Sequence, residues 1–323
     1  MRAQKGTPLP PNIYPSGGVH DAYERCLEFE KAVDDIPLAD LRKRLREARL
    51  LGYMIREAPT DKGRATIAKE ILECAGELES SNLANSYINH IFLNFRAAKA
   101  SIHTSSPTFS QPLFDNDQDI LKWLLEDAPK SHSSTKAQAL FRDGYRCTLI
   151  GHYDQVSVDT IQSFTDKNHE MWSAIERFAG DMITQDFKGK DVNCLDNVLT
   201  LESNKNNLFD ELKIWFEEVR GPDCNIYPHQ YRIGSANPFT QLMDVSPIIN
   251  LNTPDKDNLP LPNPRYLRIH AACARVAYLS GVGKYIDDIL AGIERRLAPA
   301  LDGFDADVLS LASLLSDKIH VTP

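Results

Sequence analysis

Three short stretches between residues 141 and 210 hold side chains that could bind a metal ion or move a proton. They run from 141 to 147, from 159 to 165 and from 196 to 210. Histidine is the usual general base near neutral pH, carboxylates bind hard cations, and amides offer neutral oxygen ligands. The candidate site residues, which carry these groups or a threonine hydroxyl, are Asp159, Thr160, Asn197, Asn206, His152 and His169.

The order of these stretches resembles that of the HNH nucleases, in particular fungal proteins that carry an HNH-type domain inside a longer helical chain. The stretches read Phe-Arg-Asp-Gly-Tyr-Arg-Cys, Asp-Thr-Ile-Gln-Ser-Phe-Thr, and Asp-Asn-Val-Leu-Thr-Leu followed by Asn-Asn-Leu-Phe-Asp. The family's second stretch reads roughly Ala-His-Ile-x-Pro-Phe-Ser, and its last reads His-x-x-Phe-Asp. The resemblance includes the C-terminal third and is firm from about Arg142 to Leu315.

The two histidines that carry the family's chemistry are replaced in this chain. In the family, the first deprotonates water, the last binds the metal, and a middle asparagine orients the base or a loop. Thr160 and Asn206 occupy the two histidine positions, and Asn197 matches the middle asparagine. A hydroxyl stays protonated at neutral pH, and an amide oxygen is a weak ligand for a transition metal. The resemblance therefore implies a retained scaffold without cleavage chemistry, with no cofactor expected unless Asp159 holds a divalent metal.

Three histidines can each be interpreted either as functional residues or as ordinary surface or core residues. His152, on the expected hairpin turn, and His169, beside Glu170 on a predicted helix, could each act as a displaced base, but both are also ordinary surface positions. His270 lies in an apolar helix, where a hydrogen-bonded core histidine is more common than a ligand.

The whole chain is acidic, which bears on its partners. Its 323 residues include 36 Lys and Arg against 45 Asp and Glu, giving a net charge of -9. From residue 141 to 232 there are 10 basic and 16 acidic residues, a net -6. Because phosphate contacts dominate nucleic-acid affinity, this balance argues against tight nucleic-acid binding. A small-molecule ligand stays open.

Composition also predicts the cellular setting. There is no run of about eighteen apolar residues and no apolar core of a signal peptide near the N-terminus. The six cysteines form no Cys-x-x-Cys pair, which argues against a zinc knuckle and favours reduced thiols. We expect an intracellular protein, cytoplasmic or nuclear, without a membrane partner.

Apolar periodicity predicts helices on both sides of one strand-rich segment. A strand is predicted over 224–234, and Gly281 is the expected C-cap of a helix over 265–280. The other predicted helices span 21–33, 41–55, 64–78, 83–100, 119–127, 135–141, 167–179, 209–219, 284–297 and 306–315, with a linker at 101–117.

The predicted fold class is α+β, a mostly helical chain around a small unit. The resemblance implies that this unit is a ββα-metal fold of the His-Me finger, HNH-like type, from about Arg146 to Val219. The predicted domains are an N-terminal arm and helical region (1–130), a degenerate HNH-like domain (131–235) and a C-terminal helical region (236–323).

Three functions fit these observations. The first is a pseudo-nuclease that keeps the scaffold for binding or regulation. The second is a small-molecule enzyme, of cyclase or isomerase type as in secondary metabolism, which uses the former metal cleft as a substrate pocket. The third is a residual metal-dependent endonuclease that uses Asp159, His152 or His169.

Overall fold

The computed structural model describes residues 6–31, 37–97, 132–151, 169–185, 194–236 and 245–297. In these ranges helices dominate and one three-stranded antiparallel sheet is present, so the predicted mostly helical α+β class is confirmed at this level. None of the helices in the described part of the chain is long and apolar enough to cross a membrane. The linker predicted at 101–117 and the helices predicted at 119–127 and 306–315 lie outside these ranges.

The helices in chain order are α1 (Gly18–Glu30), α2 (Leu38–Glu57), α3 (Asp61–Glu73), α4 (Glu77–Tyr87), a π-helical turn (Ile88–Leu93), α5 (Asn94–Ala97), α6 (His132–Arg142), α7 (His169–Ala179), α8 (Ser203–Asp210), α9 (Pro264–Ser280) and α10 (Val282–Leu297). Two short 3-10 turns span Ile183–Gln185 and Leu195–Asn197. The strands are β1 (Ile214–Arg220), β2 (Ile226–Ser235) and β3 (Ile249–Asn250), hydrogen-bonded in that order.

Residue contacts divide the chain into two compact units. The described part of the first unit comprises residues 6–31, 37–97, 170–181 and 275–297. The second comprises residues 132–151, 169, 182–185, 194–236 and 245–274. The domain boundaries predicted after residues 130 and 235 stay predictions.

The first unit is a helical assembly built on the apolar faces of α1, α2 and α3. Pro37 precedes α2, and the hydroxyl of Thr60 caps α3 by accepting the Gly63 N–H at 3.0 Å. The side chains that these helices bury include Tyr23, Cys26, Phe29, Leu50, Leu51, Met54, Ile55, Ile67 and Ile71.

The N-terminal arm packs against this assembly through side chains that take up its backbone groups. Tyr53 Oη donates to the Pro8 carbonyl at 2.9 Å, and Tyr23 Oη donates to the Pro10 carbonyl at 2.8 Å. The Leu9 N–H donates to Glu30 Oε2 at 3.0 Å. These bonds fix the path of the arm over α1 and α2.

The second unit contains the sheet. β1 pairs with β2 in antiparallel fashion from Ile214 opposite Ser235 to Glu218 opposite Tyr231, and β3 pairs with β2 at Tyr231. Phe216, Tyr231 and Phe209 form edge-to-face aromatic pairs in the core of this unit. The sheet and α8 therefore share one apolar core.

The helix predicted over 209–219 is wrong. α8 ends at Asp210, Leu212 adopts a left-handed φ of 55°, and the chain enters β1 at Ile214. The Ile-Trp-Phe run has high strand propensity, and pairing with β2 provides the backbone partners of a sheet.

Two helix boundaries in the first unit also differ from prediction. α3 ends at Glu73, whereas the helix was predicted to reach residue 78. α4 begins at Glu77 after Gly76, whereas the helix was predicted to begin at residue 83. In contrast, α9 confirms the helix predicted over 265–280, and Gly281 follows it with a φ of 83° as expected of a C-cap.

Candidate functional site

The described residues include only part of the predicted site. Asp159, Thr160 and His152 lie outside the described residues. His169 is the first residue of α7. Asn197 and Asn206 are therefore the two predicted site residues whose side-chain burial can be stated.

Asn206 is a buried residue of α8, with 6% of its surface exposed. Its amide Nδ2 donates to Asp210 Oδ2 at 3.1 Å, a bond between successive turns of the helix. Its neighbour Asn207 is exposed. The amide at position 206 thus points into the unit and orients a carboxylate.

Asn197 ends the 3-10 turn Leu195–Asn197 and is 5% exposed. Its backbone N–H donates to the Cys194 carbonyl at 3.1 Å. The next residues, Val198, Leu199 and Thr200, are buried and belong to no regular helix or strand. This segment connects Asn197 to the start of α8.

Arg142 fixes the turn that holds Asn197. Its guanidinium is fully buried and donates to the carbonyls of Leu195 at 2.9 Å, Val198 at 2.8 Å and Pro260 at 3.0 Å. The same group forms a two-pronged pair with the Asp143 carboxylate at 2.8 and 2.9 Å. One desolvated arginine therefore joins the first motif stretch to the third.

Thr148 makes a second connection between these stretches. Its N–H and its hydroxyl both donate to the Thr200 carbonyl, at 2.8 and 2.7 Å. At Arg146, where the resemblance implies that the small unit begins, the chain forms a single bridge, followed by a turn to Gly151 with a φ of 68°. The first and third stretches are adjacent, and the described residues contain no regular hairpin between them.

His270 of α9 packs against the end of α8. Its ring stacks on Phe209 with 3.7 Å between ring centroids, and Nε2 lies 2.9 Å from the Phe209 carbonyl. Burial lowers the pKa of His270 to about 4, and the carbonyl contact opposes this shift. The neutral ring therefore donates from Nε2, and the expectation of a hydrogen-bonded core histidine is confirmed.

The sheet carries a polar cluster that sequence reasoning missed. Arg268 donates to both carboxylate oxygens of Glu218, at 2.7 and 3.0 Å. Burial, and to a lesser extent Glu218, raises the pKa of Tyr231 to about 12, against the opposing influence of Arg268. Tyr231 stands opposite Glu218 in the register, so strand pairing would have predicted the cluster had β1 been recognised.

The described ranges contain no group of three or more His, Cys, Asp and Glu side chains placed to hold a metal ion. What the described site can do chemically is accept and donate hydrogen bonds, since Asn197 and Asn206 are neutral and His270 does not titrate near pH 7.

Comparison of the chain with protein-family models, with curated proteins and with solved structures finds no match. The likeness to HNH nucleases stays a prediction from the sequence motifs.

Proposed function

We propose that this chain is an HNH-like scaffold that does not cleave DNA and that acts by binding. The observation that carries the proposal is the state of Asn206. At the position of the family's metal-binding histidine, a buried amide donates to Asp210. An amide oxygen is a poor transition-metal ligand, and the Asp210 carboxylate already accepts a hydrogen bond from the amide nitrogen of Asn206.

The hydrogen bonds that fix the backbone around Asn197 support a retained role for this part of the second unit. Arg142 holds three carbonyls and one carboxylate around the turn at Asn197. A buried guanidinium with so many partners is costly to desolvate and is tolerated only when its geometry is satisfied. A well-fixed motif without the groups that cleave phosphodiesters fits a binding scaffold.

A plasmid-nicking assay tests the absence of cleavage. The purified chain is expected to leave supercoiled DNA intact with magnesium, manganese or zinc, because neither Thr160 nor Asn206 supplies a base or a strong metal ligand. Metal-dependent nicking that is lost in Asp159→Ala would overturn the proposal and favour a residual nuclease.

A gain-of-binding variant tests whether the site descends from an HNH centre. Thr160→His with Asn206→His places two imidazoles where the family has them, so zinc affinity by isothermal titration should rise at least about tenfold over the parent. The matched control is Thr160→His with Asn207→His, since Asn207 lies one position along α8 and is exposed. Equal zinc affinity in the two folded double variants would show that positions 160 and 206 do not converge.

A further inference from the structure

Three arginines on α2 differ in their partners. Arg44 pairs with Glu77 through both terminal nitrogens. Arg49 Nε pairs with Glu30 Oε1 at 2.5 Å. Arg46, which lies between them in sequence, makes no hydrogen bond or ion pair with any residue in the described ranges.

Arg46 is nevertheless half-buried and held in place. The centre of its guanidinium lies 3.6 Å from the centroid of the Tyr285 ring of α10, a close cation–π contact. Its Nε is buried and has no acceptor among the described residues. Burial lowers the pKa of Arg46, with opposing contributions from Tyr285 and Glu47.

The carboxylate next in sequence does not neutralise this cation by a direct bond. Glu47 Oε2 accepts a hydrogen bond from the Ser81 hydroxyl at 2.8 Å, and Oε1 accepts from Asn85 Nδ2 at 3.0 Å. Glu47 is 2% exposed, so it has no freedom to turn toward Arg46 without losing these bonds. A partly desolvated guanidinium without an anion is costly, which indicates that an anion completes the site.

We propose that Arg46, braced by Tyr285, is a binding subsite for the phosphate group of a small phosphorylated molecule. A guanidinium presents a planar fork that matches phosphate oxygens, and stacking on an aromatic ring fixes the plane of that fork. Arg42 and Lys43, one turn earlier on α2, are exposed and add two positive charges near the subsite. A phosphate carries up to two negative charges and so gains more than a carboxylate from three cations. The net charge of -9 disfavours a polyanion and favours a small ligand.

Isothermal titration of the full chain with pyrophosphate in a buffer of low ionic strength tests the subsite. The expected result is saturable binding that weakens at least about tenfold in Arg46→Met, because hydrogen bonds to a charged group are lost. Met keeps an unbranched apolar stem against Tyr285, so packing is retained. Arg44→Met is the matched control on the same helix and should change the affinity less than about twofold, since Arg44 is engaged by Glu77.

Stability without ligand provides an independent readout. Arg46→Met should have a urea midpoint equal to or above that of the parent, because an unpaired cation is removed. Arg49→Met should have a lower midpoint, because the Glu30 carboxylate loses its cationic partner. If Arg46→Met does not fold, Arg46→Lys keeps the charge without the planar guanidinium and should weaken pyrophosphate binding about tenfold.

Absence of pyrophosphate binding, or equal affinity in the parent and every Arg46 variant, would overturn the proposal. Arg46-dependent binding of a 20-nucleotide single strand without binding of pyrophosphate would also overturn it, in favour of a nucleic-acid site.

Discussion

Burial decides what the polar side chains of this protein can do. Asn206 lies on the same helix as Phe209, and His270 stacks on the Phe209 ring. Both side chains are buried and neutral, Asn206 because it is an amide and His270 because burial lowers its pKa. The buried guanidinium of Arg142 has four partner groups, three carbonyls and the Asp143 carboxylate. The roles of Arg142 and His270 depend on partners that are distant in sequence, such as the Pro260 carbonyl, which lies 118 positions from Arg142.

The neutral state of His270 makes a prediction about acid stability. Its folded pKa of about 4 lies below the ordinary value of 6.5, so the unfolded chain binds a proton at a pH where the folded chain does not. The contribution of His270 to stability is therefore present above pH 6.5 and is lost as pH falls from 6.5 toward 4, by about 1.4 kcal/mol per pH unit at most. Urea unfolding at pH 7, 6 and 5 measures this slope.

The variant His270→Gln should show a shallower decline over the same pH range, because a glutamine does not take up the proton in the unfolded state. His20→Gln is the control, since His20 lies at the surface beside Asp21 and not in the core. The same pH dependence for the parent and His270→Gln would contradict the role assigned to His270.

At the scale of elements, local signals predict some boundaries and not others. The helix after Pro37 and the one ended by Gly281 could be predicted because apolar spacing, proline and glycine act within a few residues. β1 could not be predicted, because the Ile-Trp-Phe run fits the apolar face of a helix as well as a strand. Pairing with β2 determines that this run forms a strand. The single bridge at Arg146 also could not be predicted from local sequence. The neighbouring hydrogen bond of Thr148 to the Thr200 carbonyl joins residues that are 52 positions apart.

The contact between α3 and the end of α7, both in the first unit, is another long-range feature. Thr60 Oγ1 donates to the Ala179 carbonyl at 2.6 Å. A Cβ added at Gly63 would lie 2.1 Å from the Phe178 carbonyl oxygen, and Gly180 follows with a φ of 70°. Two glycines thus let the two backbones approach closely.

This approach predicts the effect of Gly63→Ala. In an ordinary helix this change stabilises by about 1 kcal/mol, but here the added methyl group meets backbone and should destabilise by about 1–3 kcal/mol in urea unfolding. The control is Gly76→Ala, because nothing lies within 4 Å of a Cβ at that position and its φ is -176°. A gain of stability in both variants would mean that α7 does not lie this close to α3.

At the scale of the whole molecule, composition and fold give different kinds of information. Composition predicts a globular protein, and the described residues form buried cores rich in aliphatic and aromatic side chains. The assignment of residues 170–181 to the first unit, although they lie far along the chain from residues 6–97, could not be predicted from sequence. Such an arrangement depends on contacts like that of Arg177 with Glu70 at 3.0 Å, which no local pattern reveals.

The net charge of -9 makes a prediction that concerns the whole chain. Association with DNA depends on cations that neutralise phosphates, so an acidic protein without a bound metal is repelled by the duplex. In a fluorescence anisotropy titration with a labelled duplex of about 20 base pairs at about 150 mM salt, no saturable binding is expected up to about 10 µM protein. The same titration with the Thr160→His, Asn206→His variant and zinc should also remain flat, because one bound cation leaves the acidic surface largely unchanged. A submicromolar dissociation constant for the parent at this salt concentration would contradict the prediction, and would mean that a local basic surface outweighs the overall charge.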